Sequence, residues 1–450
     1  MIVMKFGGTS VQDAEAIGRV MAIVRDRLPE KPLVVVSALS KVTKLLCSIA
    51  DSAEAQHEEA VKDALASLRE RHFNLAKTLL QDSPVLLENC LGDIENRIAG
   101  LETFASGVCQ IGELSPRSEA RIISTGELLS STIIAYAFNA NGISCQWLDA
   151  RNMITTDNNY LNARPDLAVT EANIRRIFGM GTKGFDLVLT QGFVASASDG
   201  STTVLGFEGS DYSAAIFGMA LGAKRVEIWT DVDGIRSADP RSLDTTRRIE
   251  ALSYEEAAEM AAMGARVLHP LTIEPARNRN IPIMVLNSKN PDCQGSTVLR
   301  GEESPDGPKS VACRENVVFI KVHSPKMEGI TGMLARVFAP LYSNLIPVTL
   351  AKATESSVYL VVPEETDGLE TALAAMEKWA DVTVYRDKAL ISVVGRNIVG
   401  LEGLGDRIIE ASGKVYVANV SADMLSENFV IDRDRLAITL STIHNYIFNR

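Results

Sequence analysis

The sequence predicts an α/β protein in which a mostly parallel sheet flanked by helices is followed by two small βαβ modules. Short apolar runs alternate with amphipathic helical patterns over the N-terminal two thirds of the chain. After Asn287 the composition changes to a segment rich in Pro, Gly and Ser, and two similar blocks follow, each with a strand, a glycine-bearing loop, a helix and further strands. Strands that alternate with helices are typical of a parallel sheet covered on both faces.

Several apolar runs are predicted to be buried strands, because they are too short for helices, lack polar alternation and are rich in β-branched residues. They cover residues 2–6, 32–36, 144–148, 185–190, 225–230 and 281–286. Residues 11–28 carry the apolar stripe of an amphipathic helix. A long, charged helical insertion over about 45–120 interrupts the alternation, and a lid, an oligomer contact and a solvated helical surface all remain open for it.

The predicted domains are a catalytic domain over 1–298, a linker over 299–315, and regulatory modules over 316–386 and 387–450. The linker assignment follows from the density of Pro, Gly, Ser and charged residues. The two modules are predicted from the repeated order of strand, loop, helix and strands.

Composition narrows the class of protein. The chain has 450 residues, 46% of them hydrophobic, and a net charge of −12, which argues against nonspecific binding to nucleic acid or anionic membranes. Its six cysteines are scattered without a CxxC pair, so a reducing compartment and no metal site are expected. The absence of a leader pattern and of a long apolar segment predicts a cytoplasmic protein.

Small, hydroxylic and charged residues follow the predicted strands, at the sheet edge where α/β proteins bind ligands. After the first strand come Gly7 and Gly8, which allow a sharp turn with exposed amides, and Ser10, which could cap the next helix. Lys5 adds a positive charge, so a phosphate cradle is one interpretation. A plain turn between strand and helix is the other.

Two further segments have the same ambiguity. Ser210 and Asp211 precede a helical run, where they could meet a ligand or serve as ordinary N-caps. Residues 230–241 contain two turns rich in Asp and Gly, typical of a nucleotide loop or of surface turns.

Residues 253–270 predict a helix with a capping box of Ser253 and Glu256 that ends before Pro270. Its Arg266 and His269 are candidates for helix-end charges.

The motifs contain no activated Ser or Cys nucleophile and no zinc signature. Phosphoryl transfer needs chiefly positioning and charge neutralisation, and a carboxylate acceptor is already ionised at neutral pH. Glycine nests, one or two cations and magnesium would suffice.

At this point the motifs resemble those of aspartokinases in order and rough spacing. They are KFGGTSV, VVVSALS, STGELLS, LTQGF, GSDYSAA, IWTDVDGI with ADPR, and SYEEAAEMAAMGARVLHP. The resemblance covers nearly the whole chain. It implies an amino-acid kinase fold followed by two ferredoxin-like ACT modules. It also implies ATP-dependent phosphorylation of the β-carboxylate of L-aspartate to 4-phospho-L-aspartate, the first step of lysine, threonine and methionine biosynthesis.

The resemblance implies roles for individual residues. The catalytic residues would be Lys5 and Asp211. ATP, with Mg²⁺, would meet Gly7, Gly8, Ser10, Thr230, Asp231, Arg236, Arg241 and Arg266. Aspartate would be held by Thr43, Glu127 and Ser210, with Glu127 facing its ammonium group. An amino-acid effector would meet Met327, Gly329, Thr349 and Glu355, and the ACT modules would pair chains into a homo-oligomer.

The sequence also departs from the family. Phe207 stands where an arginine usually holds a substrate carboxylate, while Lys41 and Lys44 replace a Gly and an Asn and could supply the missing charge. In the first ACT module, Pro347 and Thr349 replace a serine and an aspartate of lysine-sensitive members. A kinase of another small acid, and an amino-acid-sensing subunit with weak catalysis, are therefore the alternatives.

Overall fold

The computed structural model describes residues 1–181, 184–265, 268–324, 329–399 and 401–448. These residues form two compact units. The first contains Met1–Ile235 and Leu268–Arg300, and the second contains Arg236–Val267 and Gly301–Arg450. Residues 236–267, which the sequence assigns to the catalytic domain, thus belong to the second unit, and the domain boundaries stay a prediction.

The strands and helices are numbered in chain order. The strands are β1 (Ile2–Phe6), β2 (Pro32–Val36), β3 (Cys145–Trp147), β4 (Thr155–Thr156), β5 (Leu187–Gln191), β6 (Val194–Ala197), β7 (Thr202–Val204), β8 (Val226–Thr230), β9 (Ala251–Ser253), β10 (Ile283–Asn287), β11 (Ser296–Leu299), β12 (Gly307–His323), β13 (Leu350–Ala353), β14 (Ser357–Pro363), β15 (Asp381–Arg396), β16 (Val415–Val420) and β17 (Ser426–Asp432). The helices are α1 (Ala14–Arg27), α2 (Val42–Glu54), α3 (Glu58–Leu79), α4 (Pro84–Ile111), α5 (Pro116–Ile123), α6 (Thr125–Ala140), α7 (Leu167–Gly181), α8 (Gly209–Leu221), α9 (Tyr254–Ala262), α10 (Pro270–Asn278), α11 (Gly329–Ser343), α12 (Leu369–Glu377), α13 (Leu404–Ser412) and α14 (Leu436–Phe448).

The first unit is built on a sheet with the strand order β3-β5-β2-β1-β8-β10-β11. Strands β3 to β10 in this order pair in parallel, and β11 joins β10 antiparallel. Every residue of β1 and β2 is buried, as expected for central strands covered by helices on both faces. Each predicted strand is confirmed to within about two residues, because a fully buried strand must be apolar at successive positions.

The predicted helical insertion belongs to the core of the first unit. Leu68 of α3 and Ile94 and Ile98 of α4 are fully buried in the same hydrophobic cluster as β1 and α6. These helices therefore form a structural layer of the unit, and the interpretation as a merely solvated surface is wrong.

The second unit contains a sheet with the strand order β13-β14-β12-β15-β17-β16, and all of its described pairs are antiparallel. Strand β12 pairs with β15 along most of its length, with three register shifts, between Pro308 and Ser310, Arg314 and Val317, and Val317 and Phe319. Its C-terminal half also pairs with β14, within the first predicted module, while the C-terminal half of β15 pairs with β17 in the second. The two modules therefore share one continuous sheet.

Two local predictions are corrected. Residues 307–315 were predicted as linker, yet they form the first half of β12, where Val311 and Ala312 are buried despite the polar residues around them. The predicted helix over 253–270 ends at Ala262, because Gly264 takes φ +101°, and α10 begins separately at Pro270. The capping box is confirmed: the Glu256 amide donates to Ser253 Oγ at 3.0 Å, and the Ser253 amide to Glu256 Oε2 at 2.7 Å.

Within the described part of the chain, no helix combines the length and the apolar character needed to cross a membrane.

Candidate active site

The turn after β1 is fixed by close contacts between backbones. The Gly7 amide donates to the Trp229 carbonyl oxygen at 3.2 Å, so it is occupied within the fold, contrary to the prediction that both glycine amides face a ligand. A Cβ atom on Gly8 would lie 2.9 Å from the Ala38 carbonyl oxygen. Since a backbone atom cannot move aside easily, residue 8 must be glycine for the loops after β1 and β2 to meet.

Ser10 has a different contact from the one predicted. Its hydroxyl lies 2.7 Å from Ser288 Oγ, and the residue is buried, with an exposure of 2%. The cap of α1 is Asp13, which accepts from the Ala16 amide at 2.8 Å. Ser10 therefore joins the ends of distant strands, and its predicted contact with nucleotide stays a prediction.

A cleft of about 280 Å³ lies at this edge of the first unit. Of the predicted residues it brings together Lys5, Gly8, Thr43, Glu127, Ser210 and Asp211. Further lining residues are Ser37, Ala38, Leu39, Ser40, Lys41, Phe193, Gly206, Glu208 and Gly209. The cleft therefore combines both signs of charge with several hydroxyl groups, as a site for a small zwitterion requires.

The centre of the cleft is an ion pair. Lys5 Nζ lies 2.5 Å from Asp211 Oδ1, and the side chains are only 11% and 12% exposed. Lys5 reaches this position from the end of β1, and Asp211 from the first turn of α8. Asp211 therefore neutralises and orients the lysine, and the interpretation of Asp211 as an ordinary N-cap is wrong, because α8 has no side-chain cap.

Glu127 contributes a buried carboxyl group that can still accept a hydrogen bond. It lies in the first turn of α6 and is 3% exposed. Burial raises its pKa to about 8, although the Ala38 and Glu127 backbone amides act in the opposite direction. Its Oε2 atom has no hydrogen-bond partner among the described residues. A buried acceptor of this kind is costly unless a ligand supplies a donor.

Hydrogen bonds between hydroxyl and backbone groups hold part of the cleft lining in place. Ser37 Oγ donates to Ser210 Oγ at 3.0 Å, and Ser130 Oγ donates to the Ser37 carbonyl oxygen at 2.6 Å. Gly192 is needed here as well, since a Cβ atom there would lie 2.7 Å from Ser210 Cα. Ser210 is thus positioned from two sides.

The loop before α8 contains a cleft residue that sequence reasoning missed. Glu208 takes a left-handed backbone with φ 53° and accepts the His269 amide at 2.8 Å. Burial and the charge of Asp211 raise the pKa of its carboxyl group. Its neighbour Phe207 is 79% exposed and contacts His269 edge-on, with ring centroids 6.3 Å apart. The available signal was the position of Glu208 directly before the Gly-Ser-Asp run.

The two candidate lysines differ in position. Lys41 lines the cleft and precedes α2 with a left-handed backbone, φ 69° and ψ −4°. Lys44 is exposed one turn into the same helix and does not line the cleft.

The predicted nucleotide residues are divided between the units. Thr230 ends β8 and Asp231 follows it in the first unit, whereas Arg236 and Arg241 belong to the second. In the second unit Arg236 donates to Thr246, and Arg241 pairs with Asp239 at 2.5 Å. Arg266 lies outside the described residues. In the described ranges, no group of three or more His, Cys, Asp or Glu side chains could hold a metal ion.

Of the predicted effector residues, Gly329 begins α11 and is exposed, with φ 72°. The Thr349 amide donates to the Val361 carbonyl oxygen at 2.8 Å, and Glu355 is exposed between β13 and β14. Met327 lies outside the described residues. The effector site stays a prediction.

Comparison with known proteins identifies the family. Residues 1–287 match the amino acid kinase family, and residues 312–378 match an ACT domain. The chain is 32% identical to the lysine-sensitive aspartokinase 3 of Escherichia coli K12, covering 100% of this chain and 99% of that protein. It is 30% identical to the chloroplastic aspartokinase 3 of Arabidopsis thaliana, covering 99% of this chain and 81% of that protein.

Solved structures agree with this assignment. The crystal structure of E. coli aspartokinase III in complex with aspartate and ADP superimposes with a TM-score of 0.85 at 30% identity, covering 100% of both chains. The same enzyme in complex with lysine and aspartate gives a TM-score of 0.82. With its sequence and its fold matched from end to end, this chain belongs to the aspartokinases of the amino acid kinase family.

Proposed function

We propose that the protein is an aspartate kinase that transfers the γ-phosphoryl group of ATP to the β-carboxylate of L-aspartate. The observation that carries the proposal is the placement of the Lys5–Asp211 ion pair in one cleft with the unpartnered oxygen of Glu127. The solved relative with aspartate and ADP supports the same pair of ligands. The product, 4-phospho-L-aspartate, would be the first intermediate of lysine, threonine and methionine biosynthesis.

In the transfer step an oxygen of the β-carboxylate forms a bond to the γ-phosphorus. The bond from that phosphorus to the β,γ-bridging oxygen breaks, and its electron pair leaves with ADP. No general base is needed, because the attacking carboxylate carries no proton at neutral pH. Lys5 donates hydrogen bonds to the phosphoryl oxygens as charge develops there, and Asp211 holds the lysine in position.

Glu127 binds the substrate ammonium group. An ammonium donor would satisfy Glu127 Oε2 and would favour its ionised form, thereby lowering the raised pKa of this carboxyl group. Thr43 and Ser210 line the same cleft and offer hydroxyl donors to the carboxylates of aspartate.

ATP binds with Mg²⁺. The proposed nucleotide contacts are Gly8, Ser10, Thr230, Asp231, Arg236, Arg241 and Arg266. Magnesium in kinases is usually held by one or two carboxylates together with substrate phosphates. Asp211 and Glu208, which both line the cleft, fit that requirement better than a cage made of protein ligands alone. When bound, the ion neutralises phosphate charge.

The regulatory part of the proposal concerns the second unit. An amino-acid effector would bind beside Gly329, Thr349 and Glu355, and the ACT modules would join chains into a homo-oligomer. The cytoplasmic location stays a prediction.

A hydroxamate assay tests the proposal. The purified protein is incubated with ATP, magnesium, hydroxylamine and L-aspartate, and the trapped acyl phosphate is measured as aspartyl hydroxamate. ADP release is followed in parallel. Hydroxamate and ADP should form in equal amounts. Asp211→Asn serves as the control, since it removes the carboxylate that orients Lys5 while preserving the size of the side chain at position 211.

The same assay separates the alternatives. Product from another small carboxylic acid but not from aspartate would favour a kinase with a different acceptor. If the wild-type protein forms no more ADP and hydroxamate than Asp211→Asn with every acid tested, an amino-acid-sensing subunit would be favoured. Either result would overturn the proposed function.

A further inference from the structure

Lys41 is a charged side chain in the cleft without an assigned role. The ionisable side chains that line the cleft are Lys5, Lys41, Glu127, Glu208 and Asp211. Lys5 is paired with Asp211 at 2.5 Å. Lys41, by contrast, has no ion-pair or side-chain hydrogen-bond partner in the part of the chain that the structure describes. It is therefore the cleft cation that is available to a ligand.

The proposed substrate requires such a cation. L-Aspartate carries an ammonium group and two carboxylates, of which only one reacts. With Glu127 on the ammonium and Lys5 at the phosphoryl group, the second carboxylate still lacks a positive partner. The loop Leu205–Gly209 brings none, because it contains no basic residue and Phe207 is 79% exposed.

The backbone of Lys41 supports a functional role. Its φ of 69° and ψ of −4° lie in the left-handed region, which glycine occupies freely and a lysine occupies at a cost. Strained backbones of this kind persist where the surroundings hold them, and they cluster at functional sites.

We propose that Lys41 binds the non-reacting α-carboxylate of aspartate and thereby sets substrate specificity. The inference rests on the proposed function, since it assigns one group of that substrate. Lys41 does not take part in phosphoryl transfer, so its contribution belongs to KM for aspartate rather than to kcat.

The decisive variant is Lys41→Gly, which removes the charge and relieves the backbone at the same time. KM for aspartate should rise roughly 10- to 100-fold, as for loss of a hydrogen bond between charged groups, while KM for ATP stays within about twofold. The melting temperature should stay equal or increase. Lys41→Arg should restore most of the affinity for aspartate.

Two matched controls accompany it. Lys31→Gly alters another lysine with a left-handed backbone, φ 53°, that does not line the cleft. Lys44→Ala removes an exposed charge one turn into α2. Both should leave KM for aspartate unchanged.

A substrate analogue identifies the group that Lys41 contacts. The α-amide of aspartate keeps the β-carboxylate and the ammonium but lacks the α-carboxylate charge. Wild-type protein should prefer aspartate over this amide, and Lys41→Gly should lose most of that preference.

Failure of the proposed function and failure of the inference about Lys41 would give different results. Wild-type protein that makes no aspartyl hydroxamate would overturn the proposed function. An active wild type with an unchanged KM for aspartate in Lys41→Gly would overturn only the inference. A lowered melting temperature with equal losses for aspartate and its amide would also overturn it, because Lys41 would then have a structural role.

Discussion

The sheets of the two units differ in the edges at which their strands end. In the first unit, parallel pairing directs β1, β2, β5 and β8 toward one edge, and the residues after them converge on a common region. In the second unit, antiparallel pairing sends neighbouring strands to opposite edges. Parallel order therefore gathers charged and hydroxyl-bearing residues at one edge, whereas the antiparallel sheet distributes the residues after its strands over both edges. Variants that alter one unit only test this division.

The largest effect is expected for Lys5, the charged residue in β1. Lys5→Ala should lower kcat by roughly 10²- to 10³-fold, because a preorganised donor to the transferring group is lost. It also leaves Asp211 as an unpaired carboxylate that is mostly buried, so stability should fall. kcat comes from the hydroxamate assay, and stability comes from thermal unfolding.

A double variant separates these two effects. Lys5→Ala with Asp211→Asn should recover much of the lost stability but none of the turnover. Near wild-type turnover in Lys5→Ala would contradict the phosphoryl role of Lys5.

The next effect concerns the contact between loops after β1 and β2. Gly8→Ala should destabilise the fold by about 1–3 kcal/mol and reduce activity, since the new Cβ atom would lie 2.9 Å from a carbonyl oxygen. Gly18→Ala in α1 is the matched control. A Cβ atom there meets nothing within 4 Å, and replacing a helical glycine should stabilise by about 0.5–1 kcal/mol. Equal unfolding curves for both variants would refute the close contact.

Glu127 should make substrate binding depend on pH. Its pKa of about 8 means that the free enzyme holds this carboxyl protonated at neutral pH, where it cannot pair with an ammonium group. KM for aspartate should therefore fall as pH rises from about 6 to about 8, by nearly tenfold per pH unit at the acidic end. Glu127→Gln should have a higher KM and lose this dependence.

Thermal unfolding gives an independent check on Glu127. Burial raises its pKa from 4.5 to about 8, so the folded protein binds the proton more tightly than the unfolded chain. The contribution of this group to stability is present below pH 4.5 and is lost as pH rises through about 8. Glu127→Gln should therefore gain melting temperature relative to wild type as pH rises. A constant difference would show that Glu127 is already ionised.

The smallest effect on basal turnover is expected in the second unit. Pro347 and Thr349 bring no charge to the amino groups of lysine, so lysine alone should inhibit weakly. Thr349→Asp should strengthen inhibition by lysine without changing turnover in its absence. Inhibition curves with lysine, threonine and methionine, separately and in pairs, provide the measurement. Half-inhibition of wild type by submillimolar lysine would contradict this prediction.

The strands and much of the cleft could be predicted from the sequence for one physical reason. A central parallel strand such as β2 is buried on both faces, so its apolar run is visible, and the residues that follow it must lie at the ligand edge. Lys5, Glu127 and Asp211 were found in this way or from the family motifs, and the structure brings them together.

Contacts between distant segments could not be predicted. The pairing of Ser10 with Ser288 joins residues 278 positions apart, and no local pattern signals it. The first half of β12 was also hidden, because its buried run of Lys309, Ser310, Val311 and Ala312 is half polar and shows neither an apolar run nor an alternation. The early end of α9 was visible in principle, since Gly264 is a strong helix terminator.

Strand β12 limits how the regulatory modules can be exchanged between proteins. Its first half, from Gly307 to Arg314, pairs with the half of β15 that belongs to the second module. A graft that joins foreign sequence at residue 387 would leave the acquired module without its partner strand and expose an open sheet edge, which favours aggregation. Cutting before Gly307 keeps all six strands of this sheet in one transferred segment. Recombination in this family should therefore keep the two modules together and exchange them as a pair.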